Sequence, residues 1–167
     1  ETIECWEHAL KSSKTPSVLS LTRQNLNPIR KKISNTNKCS FGAYEVFRSN
    51  QNIKLAIFAS GSEVNLALEV SHKLAIENIY SKVVSVPCHE LFEQQSNKYK
   101  KEILNETNFS ITIEAGSTSC WHKFVKVKGL NFGIDEFGKS APYKEIYEYF
   151  GLTSENITTK TKDLINN

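Results

Sequence analysis

From residue 42 onward, short apolar runs rich in β-branched residues alternate with longer mixed stretches, and this alternation constrains the fold more than any other feature. The longer stretches, of about 10 to 20 residues, carry apolar side chains at helical spacing. Strands joined by such helices form right-handed βαβ crossovers and a mostly parallel sheet. Four apolar runs follow this pattern, at residues 53–59, 81–87, 108–115 and 130–135.

A fifth run, residues 42–48, alternates between apolar and polar side chains, which is typical of an edge strand. Its short link to the next run favours an antiparallel position. The sequence therefore predicts an α/β fold of three layers, a sandwich in which helices cover both faces of a mostly parallel five-stranded sheet with one antiparallel edge strand. Helices are predicted from a capping box at Ser60 and Glu63, or from Ser62, to about Asn78, then over residues 89–104, around Trp121 and Phe124, and over 142–150 and 154–165.

The first 40 residues do not show this alternation of strands and helices. Residues 2–12 carry one apolar helical stripe, and residues 17–22 predict a short strand that ends at Arg23. Residues 24–40 are rich in Asn, Lys and Ser, which is typical of a linker. We therefore expect three parts: the end of a preceding domain at 1–25, a linker at 26–40, and one complete α/β domain at 41–167.

Composition excludes several classes of protein. The net charge of the 167 residues is only +3 and the lysines are scattered, so no footprint for nucleic acid is predicted. No apolar run is long enough to span a membrane. The sequence contains no methionine, and we therefore expect the chain to be a piece processed or cut from a longer protein.

The cysteines predict reduced thiols and a cytoplasmic location, because they are widely spaced and form no C-x-x-C pair. Neighbouring residues of a strand point to opposite faces, and no two histidines are four residues apart. A thiol–imidazole dyad or a metal site at Cys88-His89 or around His122 is therefore not expected. The four cysteines are Cys5, Cys39, Cys88 and Cys120.

Three polar features remain as candidate sites. Residues 116–122, GSTSCWH, predict either an anion cradle or, as the favoured alternative, a plain turn with a serine cap. Asp135 and Glu136 are expected to lie in the loop after the last strand rather than to form a catalytic pair. Arg23 ends a predicted strand, where it either pairs with a nearby acid or binds an anion.

Several segments resemble transketolases, and they follow one another in the order found in that family. The last is the most specific, because FG-x-SAP followed by FGLT is seldom met elsewhere. The sequence departs from the family at Asn27-Pro28, since many members place proline directly after RQNL, and at Cys88-His89, where a Ser-Trp pair is common. Neither position takes part in the chemistry of the family. The segments are LTRQNL (21–26), ASGSEVNLALE (59–69), SVP with HELFEQQ (85–95), EAGST (114–118) and GIDEFGKSAPYKEIYEYFGLTSENI (133–157).

This resemblance implies a thiamine-diphosphate enzyme that moves a two-carbon ketol unit from a ketose phosphate to an aldose phosphate. The family works as a homodimer with a divalent cation, Mg or Ca. The chain would hold the end of the middle, pyrimidine-binding domain and the whole C-terminal domain. Its catalytic, cofactor-binding and metal-binding residues would lie upstream, so the resemblance implies none of these in the chain and an inactive fragment that serves folding and dimer packing.

One family site residue falls within the chain. The arginine of TRQN, which helps to bind the sugar phosphate in transketolases, corresponds to Arg23. A guanidinium offers phosphate a planar fork of donors, so the chemistry suits the role. The alternatives are a related thiamine enzyme, namely a deoxyxylulose-phosphate synthase or a 2-oxoacid dehydrogenase beta subunit, and a free-standing binding module.

Overall fold

The computed structural model describes residues 1–30 and 35–167. Residues 31–34, part of the predicted linker, lie outside the described residues. Among those that are described, no helix combines the length and the apolar character needed to cross a membrane.

The sheet has five strands in the order β1-β3-β2-β4-β5. β1 pairs antiparallel with β3 and lies at one edge, while the other pairs are parallel. All five residues of β2 and of β3 are buried, as expected for central strands of a parallel sheet. The strands are β1 (Tyr44–Arg48), β2 (Leu55–Ala59), β3 (Ser81–Ser85), β4 (Phe109–Ile113) and β5 (Gly129–Phe132).

Helices cover both faces of this sheet. Because side chains alternate along a strand, Ile57 of β2 faces one hydrophobic cluster and Phe58 faces the other. The first cluster includes apolar residues of α2 and α6, and the second includes those of α3 and α4. The predicted fold class is confirmed. The helices are α1 (Thr2–Lys11), α2 (Glu63–Ile76), α3 (His89–Glu93), α4 (Asn97–Leu104), α5 (Tyr143–Tyr149) and α6 (Ser154–Asn166).

The strand predicted at residues 17–22 is wrong for this structure, where the segment is irregular. A strand requires a hydrogen-bonded neighbour, and the sheet formed by the described residues does not extend to this segment. Its apolar side chains consequently face solvent, with Val18 95% exposed.

Two predicted helices are also wrong in detail. Residues 89–104 form two helices, because the Ser96 hydroxyl accepts a hydrogen bond from the Tyr99 amide (3.2 Å) and begins α4 as a new N-cap. Trp121 and Phe124 lie in or beside two single turns of 3-10 helix, Thr118–Cys120 and His122–Phe124, and both side chains pack in the second cluster.

The capping box predicted at Ser60 and Glu63 is absent. Ser62, the alternative, occupies the N-cap of α2, but its side chain makes no capping hydrogen bond.

Candidate functional site

Arg23 lies in an exposed bend between α1 and the linker. Its neighbours hold the bend locally, because the Thr22 hydroxyl donates to the Gln24 side chain and accepts from the Gln24 amide (3.3 Å). None of the ion pairs formed among residues 1–30 and 35–167 includes Arg23. Its guanidinium donors therefore remain available to an anion, which is the chemistry predicted for this residue.

An open groove of about 440 Å³ lies close to this bend along the chain. Leu19 and Leu21 line one part of it, and Trp6 and Leu10 of α1 contribute further apolar surface. Ile3 and Leu10 are both exposed, so the apolar stripe of α1 has no counterpart among the described residues. Exposed apolar surface of this kind is typical of an interface, so we regard the α1 stripe as a surface that could pack against another apolar surface.

Helix α1 contacts the α/β domain through polar groups instead. The Glu1 carboxylate accepts hydrogen bonds from the Tyr44 hydroxyl (2.6 Å) and from the Ser85 hydroxyl (2.5 Å). Ser85 ends β3, so the start of α1 lies at the carboxyl end of a central strand. Burial, with the Glu1 carboxylate beside it, raises the pKa of Tyr44 well above its usual range, and this phenol remains a donor at neutral pH. We call Glu1, Tyr44 and Ser85 the α1 anchor.

The linker adds a second set of contacts to α1. Arg30 forms an ion pair with Glu4 (2.8 Å), and its guanidinium lies 5.3 Å from the centre of the Tyr44 ring. The Cys39 amide donates to the same Glu4 carboxylate at 3.2 Å. Burial opposes ionisation of Glu4, but these partners outweigh it and lower the pKa of Glu4. The two arginines of this region thus differ, since Arg30 is paired with Glu4 and no ion pair of the described residues includes Arg23.

A partly buried acidic cluster, which the sequence did not predict, lies at the carboxyl ends of β2 and β4. The Ser60 hydroxyl donates to Glu114 at 2.7 Å. Glu63, which begins α2, is only 3% exposed and accepts a hydrogen bond from the Tyr147 hydroxyl of α5. Burial raises the pKa of Glu114 to about 7, and the Glu63 carboxylate contributes in the same direction. Glu114 is therefore a carboxyl that exchanges its proton near neutral pH.

Part of this acidic cluster could have been predicted from its position in the fold. The chain passes from β2 to β3 on one side of β2 and then crosses over to β4 on its other side. Open α/β sheets bind ligands at such a switch point, which here lies between β2 and β4. Glu114 follows β4 directly in the sequence. A carboxylate after a buried strand was thus visible, but its approach to Ser60, 54 residues away, was not.

The turn at residues 116–120 is confirmed as a serine-capped turn, because Ser117 accepts from the Ser119 amide. Asp135 occupies the donors that an anion would need. One carboxylate oxygen accepts from the Thr118 amide (2.8 Å) and the other from the Thr118 hydroxyl (2.7 Å). These bonds lower the pKa of Asp135. The Asp135 loop follows β5, as predicted.

The cysteine and histidine side chains at 88–89 and at 122 contact other residues rather than one another. The Cys88 thiol donates to Glu90 (3.4 Å), and burial raises its pKa. The His89 ring packs edge-on against Trp121, with 4.7 Å between ring centres. His122 contacts Asn131 through Nδ1 (3.3 Å). In the described part of the chain, no three or more His, Cys, Asp or Glu side chains are grouped so as to hold a metal ion.

Comparison with protein families identifies residues 42–153 as a transketolase-like C-terminal domain. The chain belongs to the transketolase family. The transketolase of Staphylococcus epidermidis is 42% identical over 166 residues, which cover 98% of this chain and 25% of that protein. The transketolase of Bacillus subtilis is 40% identical over 172 residues, covering 99% of this chain and 25% of that protein.

Solved structures agree with this membership. The transketolase of Leishmania mexicana superposes with a TM-score of 0.86 at 35% identity, over 98% of this chain and 23% of that one. The transketolase of Pichia stipitis in complex with sedoheptulose-7-phosphate gives 0.88 at 32% identity, over 99% and 24%. The chain thus spans about a quarter of the length of these relatives and corresponds to their C-terminal part, as the sequence predicted.

Proposed function

We propose that this chain acts as the C-terminal quarter of a transketolase, an enzyme that transfers a two-carbon ketol unit from a ketose phosphate to an aldose phosphate. The observation that carries this proposal is the match to transketolases over 98% of the chain, which includes α1 and the linker as well as the family domain. By itself the chain would be inactive. It would contribute the end of the middle domain (1–25), a linker (26–40) and the C-terminal domain (41–167).

Three further features belong to this proposal: a homodimer, a cytoplasmic location, and thiamine diphosphate with Mg or Ca as cofactors of the longer enzyme. The free cysteines are consistent with a reducing compartment. Among residues 1–30 and 35–167, no three or more His, Cys, Asp or Glu side chains are grouped so as to hold the divalent cation, and we assign the cofactor to the preceding part of the longer enzyme. Calorimetry on the 167-residue chain should accordingly detect no saturable binding of thiamine diphosphate, and micromolar binding would contradict the domain assignment.

A chimera tests the function directly. The matching C-terminal segment of the Bacillus subtilis transketolase would be replaced by this chain and assayed for ketol transfer between sugar phosphates. We expect activity within about tenfold of the parent. Protein cores tolerate many hydrophobic substitutions when the total volume and the apolar pattern are kept, so the replaced segment should still pack against the rest of the enzyme. The matched control is the same protein truncated before the segment. A folded chimera with no more activity than the truncated control would refute the proposal.

Within this enzyme, we propose that Arg23 binds the phosphate group of the sugar substrates. Its support is the exposed position of Arg23, whose guanidinium has no ion-pair partner within residues 1–30 and 35–167, together with the sugar phosphate found in the Pichia stipitis relative. A phosphate anchored away from the reacting carbons supplies binding energy that orients them.

In the chimera, Arg23→Ala should raise KM for phosphorylated sugars by about 10- to 100-fold, since one or two charged hydrogen bonds are lost. An acceptor without phosphate should be used equally well by both proteins. Arg30→Ala is the matched control, because Arg30 is already bound to Glu4 and should affect stability rather than KM. An unchanged KM for sugar phosphates would assign Arg23 a structural role.

A further inference from the structure

Cys5 and Cys39 come from distant parts of the sequence, and the fold brings them to one point. The carbonyl oxygen of Glu1 accepts a hydrogen bond from the Cys5 amide (2.9 Å) and another from the Cys39 thiol (3.6 Å). The Cys39 amide in turn donates to the side chain of Glu4, the residue before Cys5. Cys39 is therefore bonded to two residues at the start of α1, Glu1 and Glu4, which precede Cys5.

The two thiols differ in exposure and in acidity. Cys39 is 2% exposed, whereas Cys5 is only half-buried and remains accessible to small molecules. The neighbouring Cys39 side chain lowers the pKa of Cys5 to about 7, which favours the thiolate compared with an ordinary thiol. The same contact, reinforced by burial, raises the pKa of Cys39. Cys5 is thus suited to attack an oxidant, and Cys39 lies where it can resolve the product.

We propose that Cys5 and Cys39 form a peroxide-induced disulfide that fastens α1 covalently to the end of the linker, directly before the α/β domain. This modification is independent of the proposed catalytic function. Its physical basis is that the buried Cys39 bonds to Glu1 through its thiol and to Glu4 through its amide, and so lies against the first turn of α1, where the accessible Cys5 follows Glu4.

The chemistry balances with hydrogen peroxide as the oxidant. The Cys5 thiolate attacks one peroxide oxygen, the O–O bond breaks, and the departing hydroxide takes up a proton to leave as water. The Cys39 sulfur then attacks the sulfenic acid on Cys5, forming the S–S bond and releasing the second water. Two thiols lose two electrons and two protons in total, and one peroxide is reduced to two water molecules.

The remaining cysteines provide an internal comparison. The Cys88 thiol is bound to Glu90 and its pKa is raised, which disfavours the reactive thiolate. Cys120 is exposed, and its sulfur lies 3.9 Å from the Ser117 carbonyl. If exposure alone decided oxidation, Cys120 would react first. If the paired arrangement decides it, Cys5 and Cys39 react first and with each other.

The test uses the 167-residue chain treated with a few equivalents of hydrogen peroxide, then digested with trypsin without a reducing agent. We expect one linked species that joins the peptides 1–11 and 39–48, two hydrogens lighter than their sum. It should disappear on treatment with a dithiol. The double variant Cys88→Ser/Cys120→Ser should form it in equal yield, whereas Cys5→Ser and Cys39→Ser should not.

A second measurement assigns the order of events. In Cys39→Ser, dimedone should trap a sulfenic acid on Cys5, whereas in Cys5→Ser it should label Cys39 at least about tenfold less, since the buried thiol is mostly protonated. In the wild-type chain, the disulfide should slow hydrogen exchange of the α1 amides about tenfold or more. Oxidation at Cys120 before any 1–11/39–48 link, or equal linkage of Cys5 to Cys88 or Cys120, would overturn the proposal.

Discussion

The N-terminal helix and the α/β domain treat their apolar residues in opposite ways. In the domain, every residue of β2 is buried, whereas α1 has no buried residue and turns its apolar stripe to solvent. The domain is held together by two apolar clusters, whereas α1 is bound to the domain by hydrogen bonds of the Glu1 carboxylate and to the linker by an ion pair. An amphipathic pattern therefore shows which face of a helix is apolar, but it does not show that the described residues supply the surface packed against that face.

Two isoleucines, one in the domain and one in α1, should differ most in how much their substitution lowers the free energy of unfolding. Ile57 is 0% exposed and Ile3 is 85% exposed. Ile57→Ala should lower the free energy of unfolding by about 3 to 4 kcal/mol, because it removes buried methyl groups and leaves a cavity. Ile3→Ala should change it by less than about 0.5 kcal/mol in the same chain. Urea unfolding of both variants measures the difference, and equal losses would show that α1 is buried in solution.

Acidity should affect the two regions with opposite sign. The pKa of Glu114 is about 7 against its usual 4.5, so the folded state holds an extra proton between these values. Stability therefore falls as pH rises through this window. Glu114→Gln should be more stable than the wild type by about 2 kcal/mol at pH 8, allowing for partial exposure, and nearly equal at pH 4. Unfolding curves at both pH values decide it, and a gain that is the same at both would rule out the titration of Glu114.

The α1 contacts should respond to pH in the other direction. The pKa of Glu4 is lowered, so its contribution is present above the usual carboxyl pKa and is lost as the pH falls through the lowered value. Hydrogen exchange of the α1 amides should therefore accelerate in acid, after correction for intrinsic rates. Glu4→Gln should remove most of this dependence.

The α1 anchor offers a smaller test. Tyr44→Phe removes the hydroxyl that binds Glu1 and retains the buried ring, at a cost of about 1 kcal/mol. We expect the loss to appear as roughly fivefold faster hydrogen exchange in α1, with little change in the unfolding of the domain. Tyr143→Phe, at an exposed tyrosine of α5, is the control. An equal loss of stability throughout the domain would mean that the anchor belongs to the core.

The smallest effect concerns two threonines of α6 that face the core. Among buried side-chain polar atoms of the described residues, only Thr158 Oγ1 has no hydrogen-bond partner, whereas the Thr161 hydroxyl donates to the Ile157 carbonyl (2.6 Å). Thr158→Val should stabilise the chain by about 0.5 to 1 kcal/mol, because it removes an unsatisfied group. Thr161→Val should be neutral or destabilising by a similar amount. Thermal unfolding of the pair measures both changes, and stabilisation by both substitutions would remove the distinction.

The strands of the domain were predictable because their buried residues are consecutive and β-branched, and periodicity alone identifies them. The segment at residues 17–22 shows the limit of the same reasoning. Its pattern is also that of a strand, but a strand is completed by a neighbour, and the described residues provide none. Helix boundaries failed for a related reason, since Ser96 became an N-cap only in its folded context.

The amino-acid sequence by itself determined the α/β class, the antiparallel edge strand, the family and Arg23 as the candidate phosphate ligand, because these rest on local pattern or on motifs. Only the tertiary fold placed Asp135 against the turn at Thr118, Glu114 beside Ser60, and Cys39 against the first turn of α1. Each of these pairs joins residues at least 17 positions apart. Such contacts depend on how strands and helices are placed around the sheet, and no local property of either residue encodes them.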